Sequence, residues 1–147
     1  MNNLKFSVFI KAPREKVWKT MLEDVTYRQW TKEFDPTSYY EGDWSEGSKM
    51  LFLSKDENGN VRGGMSSVIA KNIPNEYISI KHLGMIMDGV ETPWEGPGDG
   101  YENYIFTDKD GGTFVEAELT NLPGTYIDMM NDMWPKALEA LRVLAEK

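Results

Sequence analysis

The sequence predicts an α+β fold in which a curved antiparallel sheet of seven strands wraps round one long C-terminal helix, with two short helices after the first strand. Three observations carry that prediction. The stretch from Pro123 to Lys147 places Tyr126, Met130, Met133, Ala137, Leu141 and Leu144 at steps of three and four, the spacing of one buried helical stripe. The middle of the chain breaks into aromatic and aliphatic runs separated by turn residues. The first alternating run is followed by a proline-led helical pattern.

Taken in order, Leu4, Phe6, Val8 and Ile10 alternate with Lys5, Ser7 and Lys11, a half-buried strand with Phe9 the one apolar residue on its outer face. Pro13 stands at the first position of a helix whose apolar side is Val17, Trp18, Met21 and Leu22. Asp24 is placed to cap a second short helix carrying Tyr27, Trp30, Thr31 and Phe34 on one face, and Asp35-Pro36 stops it. Six strand candidates follow: SYYEGDW, SKMLFLSKD, MSSVIAKN, EYISIKHLG, YENYIFTD and TFVEAELTN. Most of their separators are short and turn-rich, so successive strands are expected to be antiparallel neighbours. In the last strand Thr113, Val115, Ala117 and Leu119 alternate with Phe114, Glu116 and Glu118, giving one dry face that needs a cover. The C-terminal helix is the only element long enough to supply it. Pro135 lies inside that helix, where it gives no N–H to the carbonyl of Asn131 and should bend it. The half before the bend carries Met129, Met130, Met133 and Trp134, adaptable or bulky groups; the half after it is ordinary core.

One connection departs from this economy. Gly84 to Gly100 runs 17 residues with five Gly and two Pro and reads as a long loop, either a lid over the open end of the sheet, a dimer contact or simply variable.

The 147 residues suit one domain, 1–147, able to bury a core unaided. An excess of 24 acidic over 16 basic residues, net −8, opposes binding to nucleic acid and stable association with anionic membranes. With no cysteine there is no disulfide, thiolate nucleophile or Cys-based metal site. No apolar run is long enough to span a bilayer and no signal peptide is evident, so the cytoplasm is the expected location.

Chemistry is sparse. The one histidine, His82, shares the inward face of its strand with Ile78 and Ile80, and on the next strand Glu102, Tyr104 and Phe106 share a face. A square hairpin would bring Glu102 to His82, making them the only candidates for acid–base work; the competing reading is a satisfied buried polar pair, since no nucleophile accompanies them. Asp56 to Asn60 reads as a hairpin turn, because Val61 stands where a calcium loop needs glycine. There is no P-loop, GxSxG, HExxH or GxGxxG. No metal and no cofactor is expected.

The APREKVW opening, the GDWSEGSKMLFL hairpin, NEYISIKHLG, ENYIF and the closing WPKALEALRVLAE together resemble the START-like, or SRPBCC, superfamily over nearly the whole chain. The nearest branch is bacterial proteins similar to the C-terminal domain of the activator of the ninety-kilodalton heat-shock chaperone ATPase. The resemblance implies a helix-grip fold with a deep cavity between the C-terminal helix and the sheet. Projected by strand and helix phase, the lining is Trp30, Phe52, Met65, Ile80, His82, Glu102, Tyr104, Tyr126, Met130, Met133 and Trp134. The expected function is non-catalytic binding of a small hydrophobic or amphipathic ligand, oriented by His82 and Glu102. The alternatives are a protein-binding, chaperone-regulator-like or stress-response module, as a homodimer or with another partner, using Phe9, Phe114 and the loop around Trp94, and last a cyclase-like or hydrolytic enzyme with His82 as base.

Overall fold

The computed structural model describes residues 3–147. Its strands are β1 (Leu4–Ile10), β2 (Tyr39–Glu41), β3 (Lys49–Lys55), β4 (Val61–Ile73), β5 (Tyr77–Met87), β6 (Val90–Pro93), β7 (Tyr101–Lys109) and β8 (Gly112–Thr120). They form one antiparallel sheet in the order β1-β8-β7-β5-β4-β3-β2, with β6 paired to β5 beside β7. The helices are α1 (Arg14–Leu22), α2 (Asp24–Trp30) and α3 (Ile127–Ala145), with 3₁₀ turns at Thr31–Glu33 and Gly124–Tyr126.

The predicted architecture holds, with one strand more than expected. The 17-residue loop is in part a hairpin: β5 runs on to Met87, Asp88 and Gly89 turn at φ 51° and 80°, and β6 returns. Two successive positive φ values match the twist of a two-residue hairpin, and Asp-Gly is the pair that adopts them. The second strand is shorter than its aromatic run, because Gly42 at φ 125° and Trp44 at φ 67° turn the chain after Glu41. Two helix starts also differ. Pro13 occupies the N-cap of α1, and Asp24 is the first helical residue of α2, its carboxylate taken by Arg28 Nε at 3.0 Å rather than by a backbone cap.

On β8 the burial alternates as its sequence does. Val115 and Ala117 face the core opposite Val8 and Phe6, and Lys5 reaches Glu116 on the other face at 2.9 Å. Phe9 and Phe114 lie opposite each other on that outer face, and Lys109 covers the Phe114 ring, so both are only half-buried and form no bare patch. The exposed large apolar groups lie elsewhere, with Met87 at 66% and Val90 at 63% at the tip of the β5–β6 hairpin.

Helix α3 packs on β1, α1 and α2. Its buried residues are Trp134, Ala137, Leu138, Leu141 and Ala145. The expected stripe holds past Pro135 at Ala137 and Leu141, with Leu144 half-buried and Leu138 and Ala145 in the core as well, and is shifted before it: Trp134 takes the core position, while Tyr126, Met130 and Met133 are half-buried. Trp134 meets Phe6, Trp30, Phe34 and Tyr104 at centroid separations of 5.1–6.2 Å, joining helix, sheet and α2 in one aromatic cluster.

Candidate functional site

The first half of α3 stands over two adjoining chambers. One, of about 200 Å³, lies between α2, β3 and α3, walled by Trp30, Phe34, Phe52, Tyr104, Met133 and Trp134. The other, of about 360 Å³, reaches toward the β5–β6 hairpin, walled by His82, Met85, Met87, Trp94 and Tyr126. Gly64, Met65, Glu102, Met129 and Met130 belong to both walls. Of the eleven residues projected onto the cavity, ten line a chamber; Ile80 does not, being wholly buried in the core beneath.

Strand register explains which side chains arrive. Phe52 lies opposite Met65, and Met65 opposite Met85, a cross-strand row along the cavity floor. Phase counting from His82 would have turned Met85 away. Between Ser66 and Ser67 the β4–β5 register shifts so that His82 pairs with Ser67 and Gly84 with Ser66, leaving Leu83 as the extra residue. A bulge of this kind inverts the alternation beyond it, so Met85 and Met87 join the cavity wall. Arg62 and Asp35, one at each chamber's edge, are a further pair that pattern reading missed; their side chains form an ion pair.

At the junction of the chambers sits a small polar network. The hydroxyl of Ser67, a wholly buried side chain, lies within hydrogen-bond distance of His82 Nδ1, at 2.8 Å, and ties the ring to β4. Nε2 faces Glu102 Oε1 at 3.6 Å, and the Tyr104 hydroxyl donates to Glu102 Oε2. Glu102 stands opposite Ile80, two pairs along from the point where His82 N–H bonds Gly100 O at 2.9 Å, so His82 and Glu102 share one face of the sheet and come together. Burial, and then the Glu102 charge, push the Tyr104 phenol well above its ordinary pKa, so it stays a donor. The same two causes in the same order raise Tyr27.

The fork in the sheet shapes the far wall. β5 pairs with β7 up to Lys81 and with β6 from Gly84 onward, and residues 94–100 fill the gap. Trp94 stacks on His82 at 5.1 Å and 27°, and its Nε1 donates to Gly98 O at 3.0 Å. A Cβ on Gly96 or Gly100 would come within 2.4 or 2.3 Å of the indole, so only glycine lets the loop close round it.

Ser67, His82 and Glu102 have the residue types of a hydrolytic triad, but Ser67 lines neither chamber and its oxygen is out of a substrate's reach. Its place is to fix the ring. Among the described residues no three His, Asp or Glu side chains gather as a metal site, and no helix is long and apolar enough to cross a membrane.

Comparison with known proteins gives a family. The sequence profile of the activator of Hsp90 ATPase homolog 1-like proteins matches residues 11–146. No protein of curated function matches significantly. Among solved structures, a Chromobacterium violaceum protein superposes with TM-score 0.74 at 18% identity, over 99% of this chain and 98% of that one. The Aha1 dimer from Colwellia psychrerythraea gives 0.72 at 22%, over 99% and 97%. CalU16 from Micromonospora echinospora gives 0.67 at 19%, over 97% and 75%. At these identities the likeness is one of fold.

Proposed function

The chain belongs to the activator of Hsp90 ATPase homolog 1-like family, with a START-like helix-grip fold, and from that premise we propose that it binds a small hydrophobic or amphipathic ligand without transforming it. The observation that carries the proposal is the pair of chambers under the first half of α3, walled by thioethers and aromatic rings with Glu102 at their junction. The larger chamber, about 360 Å³, falls within the roughly 300–1,000 Å³ of small-molecule sites, and few polar groups interrupt an apolar lining, as such sites require. Methionine supports the reading further. Six of the nine, Met65, Met85, Met87, Met129, Met130 and Met133, stand on the chamber walls, where unbranched thioethers can follow the outline of a guest. His82 and Glu102 orient its polar end.

Native mass spectrometry of freshly purified protein, followed by organic extraction, tests this. The expected result is a small-molecule adduct that disappears in Met130→Trp, where an indole would fill the wall common to both chambers, while circular dichroism stays native. A clean apo mass, with no thermal shift across a panel of lipids and aromatics, would refute it.

A second reading, a regulator-like module that contacts another protein, is favoured by the exposed Met87 and Val90 at the β5–β6 tip. Light scattering of the wild type and of Val90→Asp checks it: an assembly that the variant dissociates would support it, and a monomer in both would remove self-association as its form.

A further inference from the structure

Resting on the cavity reading, we infer that the ligand presents a protonated amine to Glu102, so that the site selects hydrophobic amines and rejects hydrophobic carboxylates. The acidic and basic side chains on the chamber walls are Asp35, Arg62, His82 and Glu102. Two of them are occupied by each other. Asp35 accepts from the Thr37 backbone N–H at 2.8 Å and the Thr37 hydroxyl at 2.6 Å through one oxygen and pairs with Arg62 through the other. Arg62 is in any case 54% exposed, so solvent screens it.

Glu102 differs. One oxygen accepts from Tyr104; the other has as its nearest partner His82 Nε2 at 3.6 Å, longer than a hydrogen bond. Its side chain is only 16% exposed and faces both chambers. Tyr104 brings it no charge, being a phenol that burial keeps protonated, and His82, tied to Ser67 through Nδ1, stands beyond hydrogen-bond reach of the carboxylate. The carboxylate is thus a largely desolvated group on the wall of both chambers, with one acceptor oxygen 3.6 Å from the His82 ring. A cationic N–H donor repairs both deficits at once, supplying the missing hydrogen bond and the missing charge. A carboxylate there would set two anions together in a low-dielectric pocket, which is unfavourable for both. Tyr104 and Trp94 stand on the same chamber walls as Glu102, and aromatic faces attract cations.

The test uses three naphthalenes with one body and different ends: 2-(1-naphthyl)ethylamine, 2-(1-naphthyl)ethanol and 1-naphthylacetate. Their binding to the full chain at pH 7 is measured by isothermal titration calorimetry. A charge-assisted hydrogen bond corresponds to about a 10- to 100-fold preference, so the amine should exceed the acetate by at least about 10-fold with the alcohol between them. Glu102→Gln, checked for a native melting curve, should bring amine and acetate to within about threefold by removing that term. Glu57→Gln, which takes one charge from the exposed β3–β4 turn, should leave the preference unchanged and so exclude general attraction to an acidic protein. Acetate binding as tightly as amine, or an amine preference that persists in Glu102→Gln, overturns the inference while leaving the cavity reading intact. Binding of none of the three at millimolar concentration overturns both. The wild-type ranking decides the matter by itself if Glu102→Gln does not fold.

Discussion

Replacing Gly100 with alanine should destabilise the protein only while Trp94 is present. The new methyl would sit 2.3 Å from Cζ2 and 2.5 Å from Cε2 of that indole, against an ordinary contact of 3.4–4 Å, an overlap of more than 1 Å. The ring cannot slide away, because its Nε1 is bonded to Gly98 O on one side and its face is stacked on His82 on the other. Gly100 does not have the positive φ that would add backbone strain, so the cost is steric. Overpacking of this kind costs about 1–3 kcal/mol, reduced by about 0.4–1 kcal/mol because alanine restricts the unfolded chain. A net loss of about 1–2 kcal/mol is expected for Gly100→Ala in the wild type. In a Trp94→Ala background the indole atoms that the methyl would overlap are gone, and the same change should be neutral or slightly stabilising. Urea unfolding of the wild type, both single variants and the double variant gives the four free energies, and the coupling should be about 1–2 kcal/mol. Equal costs for Gly100→Ala in the two backgrounds would refute the idea that the 94–100 loop is built round the indole.

The other expectations follow from the same contacts. Leu141→Ala and Leu138→Ala, both wholly or almost wholly buried, should each cost about 2–5 kcal/mol in chemical denaturation, whereas Met133→Ala, half-buried on a chamber wall, should cost less than either. Tyr104→Phe removes the hydrogen bond that Tyr104 donates to Glu102 and should cost about 1–3 kcal/mol by the same assay. Alkaline stability should also report the buried phenols. Tyr27 and Tyr104 have folded-state pKa values above their unfolded ones, so their contribution is fully present below about pH 10, where unfolded tyrosine titrates. It is lost as pH rises beyond that, because the unfolded chain then binds fewer protons, at about 1.4 kcal/mol per pH unit for each phenol. Unfolding from pH 9 to 11 should show the Tyr104→Phe profile shallower than the wild type; identical slopes would mean that Tyr104 ionises in the folded protein as it does in the unfolded one.

Much of the architecture is legible because it rests on periodicity that nothing interrupts. The alternation through Thr113, Val115, Ala117 and Leu119 survives intact in β8, and the phase that put His82 and Glu102 on inward faces places them 3.6 Å apart. Reading fails where one residue changes the count. The Leu83 bulge hides Met85 and Met87 from any phase argument, since a single unpaired residue inverts every position after it. The β5–β6 hairpin carries a strong turn signal, Asp88-Gly89 between apolar residues, which the glycines and prolines downstream mask. Ser67 gives no signal of its own, because a serine acquires its place beside a histidine only through pairing 15 residues away.

The division of α3 has a consequence for how binding and stability relate. Past Pro135 the helix is core, with Ala137, Leu138, Leu141 and Ala145 at most 2% exposed. Before it, Met130 and Met133 are half-buried and Met129 is exposed, all three bordering empty volume, so they give up packing that a filled core would have gained. Trp134 lies at the boundary, packing the helix against Phe34, Trp30 and Tyr104 and forming part of one chamber's wall. Substitutions in the second half should therefore lower stability with little change in ligand preference, and substitutions among the three methionines should do the reverse. Trp134→Ala should do both at once, because the same ring closes the core and forms the chamber wall.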